Sequence, residues 1–145
     1  MDHRIIFRST FVLVVCVIIF SIVHVFSVPQ NVLTVGGQYY TLTVAANDEA
    51  RSKGLGGRRD MARNEGMLFV FEREAVRCFW MKNMQFSIDI IWLNAAKQVV
   101  HVEPNLSPKT FPKSFCPAKP AQYVVELRAG EAARSGVKNG QKLDF

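Results

Sequence analysis

A charge-free apolar run from Phe11 to Val28, directly behind Arg4 and Arg8, constrains this chain more than anything else in it. A helix needs about 20 apolar residues to cross roughly 30 Å of hydrocarbon, and only Ser21, His24 and Ser27 interrupt this stretch. Two arginines precede the run and no Lys or Arg follows it until Arg51. The positive-inside bias therefore predicts a cytoplasmic N-terminus, a membrane helix within residues 1–28 and a domain over residues 29–145 displayed in the periplasm or outside the cell. Secretion after cleavage of a signal peptide is the alternative, since a basic start and an apolar core serve both purposes. Against it, the run exceeds the usual apolar core of a signal peptide and no A-x-A site follows. A buried soluble helix would need a polar side, which this run lacks.

The chain carries 18 Lys and Arg against 12 Asp and Glu, a net charge of +6 that lies mostly beyond the apolar run. A basic domain ordinarily suggests nucleic acid, but little is met outside the cytoplasm. Anionic headgroups, an acidic envelope polymer or a small molecule are the partners expected, and the plainest reading of the charge is a solvated basic surface. No partner protein can be named from the sequence. Of the three cysteines, Cys16 lies in the apolar run, leaving Cys78 and Cys116. In an oxidising compartment these two either form a disulfide or stay as buried thiols.

Residues 29–145 read as one small domain. Val32–Val35, Gly36-Gly37 and Gln38–Ala45 make a hairpin, because paired glycines suit the positive φ of a primed two-residue turn. Asn47 or Asp48 can cap a short helix that ends at Gly54. Strands are predicted over Gly66–Phe71, Val76–Met81, Ser87–Leu93, Gln98–Glu103 and Gln122–Leu127, with a last one over Gln141–Phe145 and a second short helix over Gly130–Ser135. Pro104–Pro120 reads as a long, proline-rich and acid-free loop. These elements predict an α+β fold, a mostly antiparallel barrel-like sheet with two short helices.

Little in the domain carries recognisable chemistry. His101 is its one histidine and there is no C-x-x-C, so no metal site or cofactor is expected. Gly54-Leu55-Gly56-Gly57 lacks the Gly-Lys-Ser/Thr of a phosphate loop. No local motif supports a cysteine–histidine nucleophile. Asp89, Glu103 and Glu126 all fall in strands, where acids usually face water. Asp89 stands apart because both flanks in Ser87-Ile88-Asp89-Ile90-Ile91-Trp92-Leu93 are apolar, which puts it on one face with Ile91 and Leu93. A buried carboxylate there needs a partner. Lys82 and Asn83 are near enough in sequence for a polar pocket walled by Trp80, Met81 and Trp92; an internal Lys–Asp pair or a solvated edge is the structural alternative.

Several blocks resemble one family. Arg51-Ser52-Lys53-Gly54-Leu55 with Arg58, Gly66-Met67-Leu68-Phe69, Phe79-Trp80-Met81-Lys82-Asn83, Ile88-Asp89-Ile90 and Tyr123 to Gly130 follow in order as in DUF192, a prokaryotic domain family without an assigned activity. The resemblance implies a small β-rich domain, often behind a signal or anchor. The family commonly has Thr after the Lys-Asn pair and Pro before the Ile-Asp-Ile block; Met84 and Ser87 stand there instead, so no role for that hydroxyl carries over. The leading expectation is a membrane-anchored, extracytoplasmic, non-catalytic module that binds a small ligand or serves a partner, through Arg58, Trp80, Lys82, Asn83 and Asp89. The alternative is an envelope enzyme for a polar or anionic substrate, with Asp89 as acid or base and Lys82 or Arg58 as charge stabiliser.

Overall fold

A computed structural model describes residues 31–145. The expected membrane helix within residues 1–28 lies outside the described residues. Among the described residues no helix is long and apolar enough to cross a membrane.

Strands β1 (Asn31–Val35) and β2 (Gln38–Ala45) form the hairpin, with Val35 opposite Gln38 and both Gly36 and Gly37 at positive φ. Helix α1 (Asp48–Lys53) follows; the Asn47 side chain accepts the Ala50 N–H at 2.8 Å, and Gly54 closes the other end. This helix crosses the chain over to β3 (Glu65–Ala75), which runs parallel to β2. A two-residue strand β4 (Phe79–Trp80) leads to β5 (Ile88–Leu93) and β6 (Val99–Leu106). One 3₁₀ turn (Pro108–Thr110) and the short β7 (Ser114–Phe115) precede β8 (Ala121–Arg128) and helix α2 (Glu131–Arg134).

Six strands make one mixed sheet in the order β1-β2-β3-β8-β5-β6, while β4 and β7 pair separately as a small ribbon. The mostly sheet α+β class with two short helices is as expected; the barrel-like closure is not. Strands β1 and β6 remain separate edges, and the Gln141–Phe145 segment expected to be a strand supplies only two isolated bridges, Thr34 to Asp144 and Gln98 to Lys142. Single bridges do not provide the continuous hydrogen-bonded ladder that closing a sheet requires. The Val76–Met81 strand contracts to β4, and the long loop of residues 104–120 holds the 3₁₀ turn and β7.

Both faces of the sheet are covered. Strand β5 is buried along all six residues, which is why its sequence runs almost wholly apolar instead of alternating. On one face Met67, Phe69, Ile90, Trp92 and Val124 pack beneath α1 and the ribbon. On the other Leu68, Ile91, Leu93, Val125 and Leu127 pack with Tyr40, Ala132 and Leu143. The ribbon is fastened to the first face by Phe79, whose ring meets Phe69 and Trp92 edge-on at 5.0 and 6.0 Å. Cys78 and Cys116 are joined by a disulfide at its base.

Candidate functional site

A cleft of about 810 Å³ opens on the α1 face of the sheet. Its walls come from separate stretches of chain: Arg51 to Gly56 at the end of α1, Phe69 and Phe71 of β3, and Val76 to Trp80 with Lys82 and Asn83 around β4. The two lips touch. The Gly57 N–H donates to the Asn83 carbonyl at 2.9 Å, and Asn83 itself sits at φ 58 to make the sharp bend.

The cleft floor holds Glu126 of β8. Strand alternation puts this residue on the same face as Val124, opposite Ile90 of β5. It is 5 % exposed, and its Oε2 is buried without a hydrogen-bond partner. Burial disfavours the charged form and pushes the carboxyl from its ordinary 4.5 up to about 8. At neutral pH the floor of the cleft is thus a neutral carboxylic acid, able to donate one hydrogen bond and accept others.

Cations surround the opening. The Arg51 guanidinium donates to the carbonyls of Ala46 and Val70 at 2.6 and 2.8 Å and to Asp48 at 2.6 Å. The Arg77 guanidinium lies 4.2 Å from the centroid of the Phe71 ring and donates to the Arg73 carbonyl at 3.0 Å. Its buried Nε has no partner. Lys82 Nζ lies 5.4 Å from the centroid of the Trp80 ring. Trp80 itself is 53 % exposed and meets Phe111 at 5.8 Å.

Of the five residues singled out in the sequence, the structure brings Trp80, Lys82 and Asn83 together in this cleft. Arg58 is exposed on the neighbouring loop and does not line it. Asp89 points the other way. Its pairing with Leu127 places it on the opposite face, where Oδ1 accepts the Asn105 N–H and Oδ2 the Ala132 N–H, each at 2.8 Å. It holds Asn105 at φ 54 and the first turn of α2 in place, with no lysine partner. Met81 and Trp92 are core residues at 1 % and 0 % exposure, not pocket walls. Among the described residues no three His, Cys, Asp or Glu side chains cluster as metal ligands would.

Sequence reasoning missed Glu126 and Arg77. The signal for Glu126 was present: Tyr123-Val124-Val125-Glu126-Leu127 has apolar neighbours on both strand faces, the same pattern that drew attention to Asp89. A charged residue in a strand apolar on both faces is buried whichever face it takes. Nothing comparable marks Arg77, whose place follows from the ribbon.

The fold has solved counterparts. A proposed transcription regulator from Sinorhizobium meliloti 1021 is similar at a TM-score of 0.72 and 29 % identity, covering 78 % of this chain and 89 % of that one. A protein of unknown function from Novosphingobium aromaticivorans DSM 12444 is similar at 0.72 and 29 %, covering 79 % and 81 %. No curated protein matches the chain. The profile of DUF192, described as an uncharacterized ACR, matches residues 31–145, the whole of the described domain, and the chain belongs to that family.

Proposed function

We propose that the protein is a non-catalytic small-ligand-binding module, carried outside the cytoplasm by the apolar segment 11–28. One observation carries the reading: a buried, unpartnered carboxyl at the floor of an open cleft. A polar atom sealed from water without a partner costs about 1–3 kcal/mol, a cost that a hydrogen-bonding ligand would relieve. The cleft volume falls in the range of small-molecule sites, and its mixed aromatic and polar walls are of the usual kind. The Cys78–Cys116 disulfide supports an oxidising compartment. The test is a thermal-shift screen of a small-molecule library on the full chain in detergent, beside Glu126→Gln and Asp89→Asn. Ligands that stabilise the unaltered protein and Asp89→Asn, but not Glu126→Gln, are expected. Hits that stabilise all three equally place binding elsewhere and overturn the reading.

A second reading, an envelope enzyme acting on a polar or anionic substrate, is favoured by one fact. Glu126 keeps its proton to about pH 8, as a general acid must. In that reading Glu126 takes the role first given to Asp89, whose two oxygens are occupied by backbone N–H groups. Turnover that vanishes in Glu126→Gln while the ligand still binds would replace the first reading by this one.

A further inference from the structure

Building on the cleft as a binding site, we propose that its ligand is a small organic anion with a flat apolar body, its charge held by Arg77 and Lys82 and a second polar group held by Glu126. The charge balance of the lining argues for this first. Asp48 is neutralised by Arg51 at 2.6 Å, so that pair adds nothing to the field of the cleft. Among the described residues Lys53, Arg77 and Lys82 have no carboxylate within ion-pair distance, and all three line the opening. They come from the end of α1, the approach to β4 and the bend after it, so one cleft gathers cations from separate parts of the chain. Burial raises the Glu126 carboxyl to about 8, so at neutral pH it offsets none of them.

The groups without partners argue next. Arg77 Nε and Glu126 Oε2 are already buried without partners, and a neutral apolar ligand would offer neither of them a hydrogen bond. A cationic ligand would sit among three positive charges. A bare inorganic anion would meet the lip but leave the aromatic walls wet. An anion with a flat body suits the lining better: the Arg77 guanidinium, 4.2 Å from the Phe71 ring centroid, is a planar donor of the kind that suits an oxyanion. Phe79 and Trp80 supply apolar surface beside it. The acid proton of Glu126 is then free for a hydroxyl or carbonyl oxygen reaching the floor.

Three probes with one aromatic body separate the possibilities: para-hydroxyphenylacetate (anion), tyrosol (neutral) and tyramine (cation). Each is titrated into the full chain in detergent and followed by calorimetry and by the fluorescence of Trp80, the exposed one of the two tryptophans. The anion is expected to bind about 10-fold more tightly than tyrosol, with tyramine weakest, and added salt is expected to erode the difference. The advantage should fall in Lys82→Gln, an exposed position where folding is not at risk, and disappear in Arg77→Gln/Lys82→Gln. Equal affinities, or a preference for tyramine, overturn the anionic class while leaving the cleft as a binding site. If none of the probes binds at millimolar concentration the proposal also fails, and the library screen with Glu126→Gln decides separately whether the cleft binds anything.

Discussion

Asp89 and Glu126 stand one rung apart on adjacent antiparallel strands, so their carboxyls leave the sheet through opposite faces. Asp89 is opposite Leu127 and Glu126 is opposite Ile90. Both are buried, at 0 % and 5 % exposure, yet their surroundings differ in kind. Asp89 meets two backbone N–H groups and is finished as a structural part. Glu126 lines the floor of the cleft, with Oε2 buried and unpaired. A single step of register thus separates a carboxylate that holds the fold from a carboxyl available to a ligand.

The contrast makes Glu126 a source of pH-dependent stability. Its folded pKa, about 8, exceeds the ordinary 4.5, so between those values the folded state holds a proton that the unfolded state has lost. Stability therefore falls as pH rises through this window, by roughly 5 kcal/mol once Glu126 is ionised. Glu126→Gln cannot ionise and should lack this slope. Urea unfolding of both proteins from pH 4.5 to above 8 is expected to show the variant gaining on the parent at every step. Parallel curves would show that water reaches the carboxyl and that burial does not hold its proton.

Asp89→Asn should behave oppositely. An amide presents one acceptor where two donors, Asn105 N–H and Ala132 N–H, converge, so one donor is left facing an NH₂ group. The expected loss is about 2–3 kcal/mol in urea unfolding, with cleft affinity unchanged. A variant that keeps its stability but loses ligand would return Asp89 to the site.

What could be read from the sequence followed from local rules. The Gly36-Gly37 turn, a cap at Asn47 or Asp48 and the apolar flanks of Asp89 each depend on neighbouring residues, and each is legible in the sequence. The presence of Trp80, Lys82 and Asn83 in one cleft was also legible, because a four-residue block carries them. The rest depended on long-range placement. That β3 runs parallel to β2, and that β8 inserts between β3 and β5, is fixed by the α1 crossover and by packing far along the chain. Without that order, Asp89 and Glu126 could not be assigned to faces relative to Lys82. The open edges followed from the same gap, because strand propensity in residues 141–145 says nothing of whether a partner ladder is within reach.

The disulfide gives the ribbon its place in the cleft wall. Cys78 and Cys116 are separated by 38 residues, and closing a loop of that length restricts the unfolded chain by about 4 kcal/mol in the chain-entropy account. Cys78→Ser/Cys116→Ser should lose stability of that order in urea unfolding. It should also free β4, which touches β7 at only two residue pairs, so that Trp80 becomes more mobile by fluorescence anisotropy. Unchanged anisotropy would show that the Phe79 contacts with Phe69 and Trp92 suffice to seat the ribbon.

Gly66 links the core of the sheet to the cleft floor. It pairs with Leu42 on one side and Leu127 on the other, at a place where a Cβ would come within 2.8 Å of the Glu126 carbonyl oxygen and of a methyl group from each leucine. The leucine tips are buried, at 4 % and 0 %, and have little room to retreat. The carbonyl can yield only if the backbone of Glu126 moves. Gly66→Ala should therefore cost about 2–3 kcal/mol through overpacking and weaken ligand binding by displacing the carboxyl. Gly37→Ala is the control: at φ 71 with open space around its would-be Cβ, it carries only backbone strain, about 1–2 kcal/mol. Calorimetric titration of both variants should show reduced affinity in Gly66→Ala alone. Equal affinities would mean that the position of Glu126 is not set by the close approach of β3 and β8.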